Sequence, residues 1–222
     1  MRFGLKLSQV ARIGDPIAFA GGGRSEDAND SQQTRGWNDV RLARVFPTIG
    51  DPLMPDTKQD AIALLKADHR KVEELFEQFE KASGDGKKQR IALEICMELT
   101  VHATIEEEIF HPACEGKVEE DLMKEAYVEH DGAKVLIAEI EAGGPDDDFY
   151  EAKVKVLSEQ IEHHVEEEEK RIEGMFSQAR KAGLDMDALG EQLLARKNEL
   201  IASYKASGLP APELSTMRKA TV

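Results

Sequence analysis

Apolar residues recur alternately three and four positions apart in four long segments of the chain, between residues 56 and 181. This spacing predicts amphipathic helices that each bury one apolar stripe. The turn-forming sequences SGDG (83–86), CEGK (114–117) and GGPDDD (143–148) separate the four segments. Because helices joined by short loops pack as antiparallel neighbours, the pattern predicts an all-α fold, an up-down-up-down four-helix bundle over 56–181.

The two ends of the chain do not follow this pattern. Residues 1–55 hold half of the eight prolines, a run of three glycines and no sustained helical period, which predicts a mostly disordered extension. Met54 directly precedes the periodic region, and a start there is one interpretation. After AGLD at 182–185, one more helical segment and a loose tail are expected over 182–222, appended to the bundle.

Polar residues interrupt each of the four stripes at one level. Every stripe contains a histidine, and the second and fourth stripes add a glutamate one helical turn later. The interrupting residues are His69, His102, Glu106, His130, His164 and Glu168. In the segment IEHHVEEEEK, the competing register through His163 and Glu167 is largely polar, so His164 and Glu168 are expected to face inward.

The two glutamates carry the argument for a metal site. A lone histidine on an apolar face is usually a hydrogen-bonded core residue, but an unpaired carboxylate in a dry core is costly. No lysine or arginine occupies any of the stripes. Imidazole and carboxylate donors without thiolate suit iron and related divalent ions. Because carboxylates from opposed helices could each bridge a pair of ions, the pattern predicts a di-metal site.

A ferritin-like di-iron site is the other arrangement known in helical bundles. It requires Glu-x-x-His on two helices, and this chain has that spacing only at Glu108 and His111. The stripe of the second helix places His111 outside the core. The spacing therefore argues against the ferritin-like arrangement.

Composition narrows the expected partners and compartment. The net charge of −15 argues against nucleic acid and anionic membranes as partners. No apolar run is long enough to span a membrane, and the N-terminus lacks the apolar core of a secretory signal. Cys96 and Cys114 have no zinc-like spacing, so a reduced cytoplasm is the expected location.

The order of these residues resembles that of the hemerythrin-like family, also called the HHE cation-binding domain. The stretches VHATIEEEIFHPA, EAYVEHDGAK and IEHHVEEEE are similar to the motifs of that family, and the resemblance covers about residues 57–200. It implies a centre of two iron ions in a four-helix bundle. The resemblance makes the four histidines terminal ligands, and Glu106 and Glu168 bridging ligands.

The same resemblance implies binding of oxygen or of reactive small oxidants such as nitric oxide or peroxide, in stress defence or iron homeostasis. Two alternatives stay open. One is an enzyme that consumes peroxide or another oxidant, and the other is a metal- or oxygen-sensing interaction module. The sequence names no protein partner.

Two positions depart from the family pattern. Oxygen-carrying members have a second histidine one turn from the first on the third helix, but Ala126 and Lys134 occupy those positions here, which argues against reversible oxygen carriage. Tyr127, Glu129 or Glu107 could supply an oxygen ligand instead, although simple packing is the favoured role of Tyr127. After the fourth-helix motif, IEGMF replaces the usual aromatic-proline pair.

Overall fold

The structure, a computed structural model, describes residues 60–217, and all regular secondary structure in that range is helical. The elements are α1 (Ala61–Lys81), α2 (Asp85–Ile105), a π-helical turn (Glu106–Phe110), α3 (His111–Cys114), α4 (Glu120–Ala142), α5 (Tyr150–Glu169), α6 (Met175–Lys181) and α7 (Met186–Ser207). The predicted all-α fold is confirmed. The predicted disorder of residues 1–55 lies outside the described residues.

Four helical segments form the bundle. Helix α1 packs against α2 and α5, and α4 packs against α2 and α5, which closes a four-membered ring. Asp60 caps the first helix, because its side chain accepts a hydrogen bond of 2.7 Å from the backbone nitrogen of Ala63. The predicted stripes of α1 and α4 are buried over their whole length. None of the described helices is long and apolar enough to cross a membrane.

The apolar core is divided into two clusters. One contains residues from the N-terminal halves of α1 and α4, the π-helical turn and α6. The other contains residues from the C-terminal halves of α1 and α4 and from the N-terminal halves of α2 and α5. The polar residues that interrupt the stripes lie between the two clusters. The bundle therefore holds a polar layer between two apolar ends.

Helix α7 belongs to the same core as the first of these clusters. It packs along α1 and α2 and buries Met186, Leu193 and Leu200 against them. The helix that the sequence marks as an appendage thus covers one side of the bundle.

The structure departs from the predicted stripes at two places. The spacing of three and four residues continues the stripe of the second helix from Glu106 to Ile109 and Ala113, and that of the fourth from Glu168 to Ile172. In the structure the buried residues after Glu106 are instead Phe110 and Cys114, because the π-helical turn advances the register by one residue. Helix α5 ends at Glu169, and the non-helical turn that follows leaves Ile172 70% exposed.

Candidate metal centre

Four histidines from four helices meet in the polar layer between the two apolar clusters. All four are buried, and their Nε2 atoms point toward one another in two pairs. The Nε2 atoms of His69 and His102 are 3.1 Å apart, and those of His130 and His164 are 3.3 Å apart. The layer therefore presents two separate pairs of imidazole nitrogens.

Two carboxylates join the two pairs. Oε2 of Glu106 lies 3.3 Å from Nε2 of His102 and 3.4 Å from Nε2 of His130. Oε2 of Glu168 lies 3.3 Å from Nε2 of His69 and 3.6 Å from Nε2 of His164. Each carboxylate thus contacts one histidine of each pair, as a ligand shared by two ions would.

The donor atoms fit metal ions. Glu106 and Glu168 are 0% and 1% exposed, and none of their four oxygens has a hydrogen-bond partner within residues 60–217. The buried donors form two groups, and the ligand atoms within each group lie within 4.8 Å of one another. The first group is His69, His102, Glu106 and Glu168, and the second is Glu106, His130 and His164. Ligands of one ion must lie this close, because each is about 2 Å from it. The six residues predicted from the sequence are therefore brought together.

A second layer of carboxylates faces the outer nitrogens of the histidines. Nδ1 lies 2.8 Å from a carboxylate oxygen in the pairs His69–Glu169 and His164–Glu129, 3.0 Å in His130–Glu107 and 3.6 Å in His102–Asp68. A carboxylate at Nδ1 fixes the tautomer that leaves Nε2 free for a metal, and raises its basicity. Asp68 and Glu169 could not be predicted from the helical period, because neither lies on a stripe.

Comparison with known proteins agrees with this geometry. The family described as hemerythrin HHE cation-binding domain matches residues 60–176. The chain belongs to this hemerythrin family.

Two individual proteins are also similar to the chain. A hemerythrin HHE cation-binding domain-containing protein from Mycobacterium kansasii shares the fold, with a TM-score of 0.56 and 20% identity over 68% of this chain and 94% of that one. A protein named DNA nickase from Nostoc sp. (strain PCC 7120) is 29% identical over 109 residues, which are 49% of this chain but only 31% of the relative.

Charge interactions raise the pKa of two histidines of this hemerythrin-family centre, His102 and His130, so that both are protonated in the absence of metal. Burial alone would lower the pKa of His102, but Glu106 and Asp68 outweigh it and raise the pKa to about 10. Burial likewise opposes Glu106 and Glu107 at His130, whose pKa they raise to about 9. Metal ions bind imidazole in its neutral form, so loading must release these protons.

The lower-ranked ligand candidates lie at the edge of the centre. Glu107 contacts the outer nitrogen of His130, Nδ1, at 3.0 Å. Both oxygens of Glu107 also accept hydrogen bonds of 2.7 Å from Lys134. Glu129 contacts His164 in the same way. Tyr127 is partly buried and packs against an apolar cluster. These positions favour orienting and packing roles over metal ligation.

His111 was placed incorrectly by the sequence analysis. It is 0% exposed, and neither ring nitrogen has a hydrogen-bond partner among the described residues. Its ring stacks on that of His130, with 5.4 Å between centroids and 21° between planes. The π-helical turn brings the His111 side chain into the core. The available sequence signal for such a turn is the apolar pattern of the second helix taken as a whole. Burial lowers the pKa of His111 to about 4, so the ring is neutral.

Glu108 does not join His111. Its carboxylate is partly exposed and forms hydrogen bonds of 2.6 and 3.0 Å with Arg196 of α7. The rejection of a ferritin-like site therefore stands, although the argument that His111 lies outside the core was wrong.

A cavity of about 570 Å³ opens beside the centre. All four of the paired histidines contribute to its lining, together with apolar residues of the bundle and the tail segment 209–213. The tail is held by the buried carboxylate of Asp131, which accepts hydrogen bonds from the backbone nitrogens of Ser215, Thr216 and Met217 and from the Thr216 hydroxyl. The C-terminal tail therefore forms one wall of the approach to the histidines.

Proposed function

We propose that this chain is a non-haem di-iron protein that binds oxygen or a small oxidant such as nitric oxide or peroxide. The observation that carries the proposal is the sharing of Glu106 and Glu168 between two separate histidine pairs. Residues that served only as core histidines would not need two carboxylates without hydrogen-bond partners between them.

The donor chemistry supports iron over a structural zinc. All donors are imidazole nitrogens or carboxylate oxygens, and both cysteines are free thiols outside the donor groups. Burial raises the pKa of Cys114 to about 12, so this thiol stays protonated and is a poor ligand. Iron ions, when bound, would supply redox activity and coordination positions open to small molecules.

The residues of the chain would hold and insulate the ions. The four outer carboxylates orient the imidazoles, and Lys134, Lys197, Lys66 and Arg70 in turn pair with three of those carboxylates. Apolar clusters on both sides of the polar layer exclude water. These arrangements favour a centre that is shielded yet open on the side of the cavity.

The proposal is tested by loading metal-free protein with iron(II) under anaerobic conditions, desalting it and measuring iron per chain. We expect two ions per chain, and a change in the optical spectrum when azide or nitric oxide is added. A single ion, or protein that binds no iron after loading, would refute the proposal. Parallel loading with zinc and manganese tests the choice of metal.

The cavity supports a second candidate, an enzyme that consumes peroxide or another oxidant. A volume of about 570 Å³ exceeds what a diatomic ligand needs. This hypothesis requires steady turnover, which is measured as peroxide loss per iron centre over many equivalents. The sensor hypothesis requires a protein partner, and the extension it would use lies outside the described residues.

Nucleic acid remains an unexpected partner for this chain. The name of the Nostoc relative refers to DNA, but the chain spans less than a third of that protein. The net charge of −15 disfavours binding to phosphate backbones. We expect iron-loaded protein to leave supercoiled plasmid intact in a nicking assay. A cytoplasmic location likewise remains a prediction.

A further inference from the structure

Among the described residues, His111 is the one buried histidine that belongs to neither histidine pair, and it has no role in the centre described above. Its two nitrogens have no hydrogen-bond partner within residues 60–217. Three of the paired histidines are hydrogen-bonded to a carboxylate at Nδ1, and Nδ1 of the fourth, His102, lies 3.6 Å from Asp68. A buried polar ring whose nitrogens have no hydrogen-bond partner is destabilising unless another group binds them. The His111 nitrogens therefore need a partner other than the described residues.

The backbone explains how this ring reaches the centre. In a regular α-helix, a residue five positions after Glu106 would point roughly 140° away from it. Here the backbone nitrogen of His111 donates to the carbonyl oxygen of Glu106, which is the wider hydrogen bond of a π-helix. The wider turn brings both side chains into the core. Such turns are frequent at functional sites.

The ring then lies beside only one of the two histidine pairs. It stacks on His130, at 5.4 Å between centroids, and its other ring neighbour is Tyr127, whose ring meets it edge-on at 5.0 Å. His130 belongs to the donor group that includes His164 and Glu106. His69 and His102, the other pair, have no ring contact with it among those that the structure records.

We propose that His111 is an additional ligand of the iron ion held by His130 and His164. The inference rests on the proposed function. It gives that ion three histidines and the other ion two. His111 would thus replace the fifth histidine that is absent from α4, where Ala126 and Lys134 occupy the two possible positions.

Ligation requires a movement of the ring. The nitrogens of His111 are outside the two buried groups, in each of which the donor atoms lie within 4.8 Å of one another. Because no hydrogen bond holds the ring, rotation about its side-chain torsions toward the ion breaks no recorded contact with a polar atom. Loading with iron should therefore move His111 more than His69, His130 or His164, whose Nδ1 atoms are hydrogen-bonded to carboxylates.

The first experiment compares His111→Phe with wild type and with His163→Phe, a change at an exposed histidine of α5. Phenylalanine keeps a buried ring but removes both nitrogens. We expect His111→Phe to lower the affinity of one of the two ions by at least about tenfold, as loss of even an indirect partner of a metal does. The loss is measured as iron retained against a graded chelator, and His163→Phe should match wild type.

Stability of the metal-free protein separates ligation from packing. A ligand that has no partner without iron can be replaced by phenylalanine without lowering the melting temperature of the metal-free form, whereas iron-loaded His111→Phe should melt below iron-loaded wild type. Equal iron retention and equal melting of the loaded forms would overturn the proposal.

A measurement on wild-type protein does not depend on any variant folding. In protein labelled with ¹⁵N-histidine, imidazoles bound to paramagnetic iron give strongly shifted signals. Five shifted imidazoles are expected, and four would overturn the role of His111 while leaving the proposed function intact. Wild-type protein that retains no iron would instead refute the proposed function itself.

Discussion

Glu168 offers a sharp test of the helical register, because its sequence neighbour Glu167 differs from it only in which face it occupies. Glu168 is 1% exposed and contacts one histidine of each pair, whereas Glu167 is near the surface and pairs with Lys170. We consider the substitutions Glu168→Gln and Glu167→Gln. Both keep the side-chain volume and remove one charge.

The expected magnitude follows from the contacts of each residue. Removing an indirect partner of a metal ligand lowers affinity by about 10–100-fold, so loss of a shared ligand should cost at least roughly 1.4–2.7 kcal/mol for each ion. Because the ions bind only the folded chain, two ions imply a loss of about 3–5 kcal/mol from the free energy of unfolding of loaded protein. For a domain of this size, the melting temperature should fall by roughly 6–20 °C.

The metal-free protein should respond far less to the same change. Glu168 there contacts His69 and His164 at 3.3 and 3.6 Å, and its oxygens form no hydrogen bond among the described residues. The change should be on the order of 1 kcal/mol, because neutralising a buried carboxylate removes its desolvation cost together with these contacts. Glu167→Gln removes a surface ion pair and should change either form by about 1 kcal/mol at most.

The assay is iron per chain after anaerobic loading and desalting, combined with thermal unfolding of both forms by circular dichroism. Glu168→Gln should lose iron and most of the difference in melting temperature between loaded and metal-free protein, whereas Glu167→Gln should behave as wild type. Equal iron losses in the two variants would refute the register assigned to α5.

Three further predictions concern protons, the tail and a glycine. Below pH 6.5 the raised pKa values of His102 (about 10) and His130 (about 9) stabilise the metal-free fold, and this stability is lost as pH rises through those values. Because iron displaces the same protons, the melting temperatures of loaded and metal-free protein should diverge from about pH 6.5 to about 10; a constant difference would contradict this. Asp131→Asn should weaken the hydrogen bonds that hold the tail and speed iron removal by a chelator several-fold. An unchanged rate of iron removal would show that the tail does not limit access to the centre. A Cβ at Gly174 would lie 2.6 Å from backbone atoms at the end of α5, so Gly174→Ala should destabilise the protein by about 1–3 kcal/mol and lower iron retention, whereas Gly86→Ala, in open space, should not.

Much of this site could be predicted because its information is local. The 3.6-residue period fixes which side of a helix a residue occupies, so His164 and Glu168 were separated from His163 and Glu167 without a structure. The absence of basic residues from the stripes identified the glutamates as unpaired. The same reasoning failed at His111, because it assumed that the period of α2 continues unchanged past Glu106.

The sequence by itself determined four amphipathic helices, one polar layer and the six residues in it, because periodicity and residue chemistry act within single helices. Only the tertiary structure decided which histidines pair, and which outer carboxylates, among them Asp68 and Glu169, face their Nδ1 atoms. It also placed the C-terminal tail on Asp131, about 85 residues away along the chain. Such contacts depend on the distance between different helices, which periodicity within one helix does not determine.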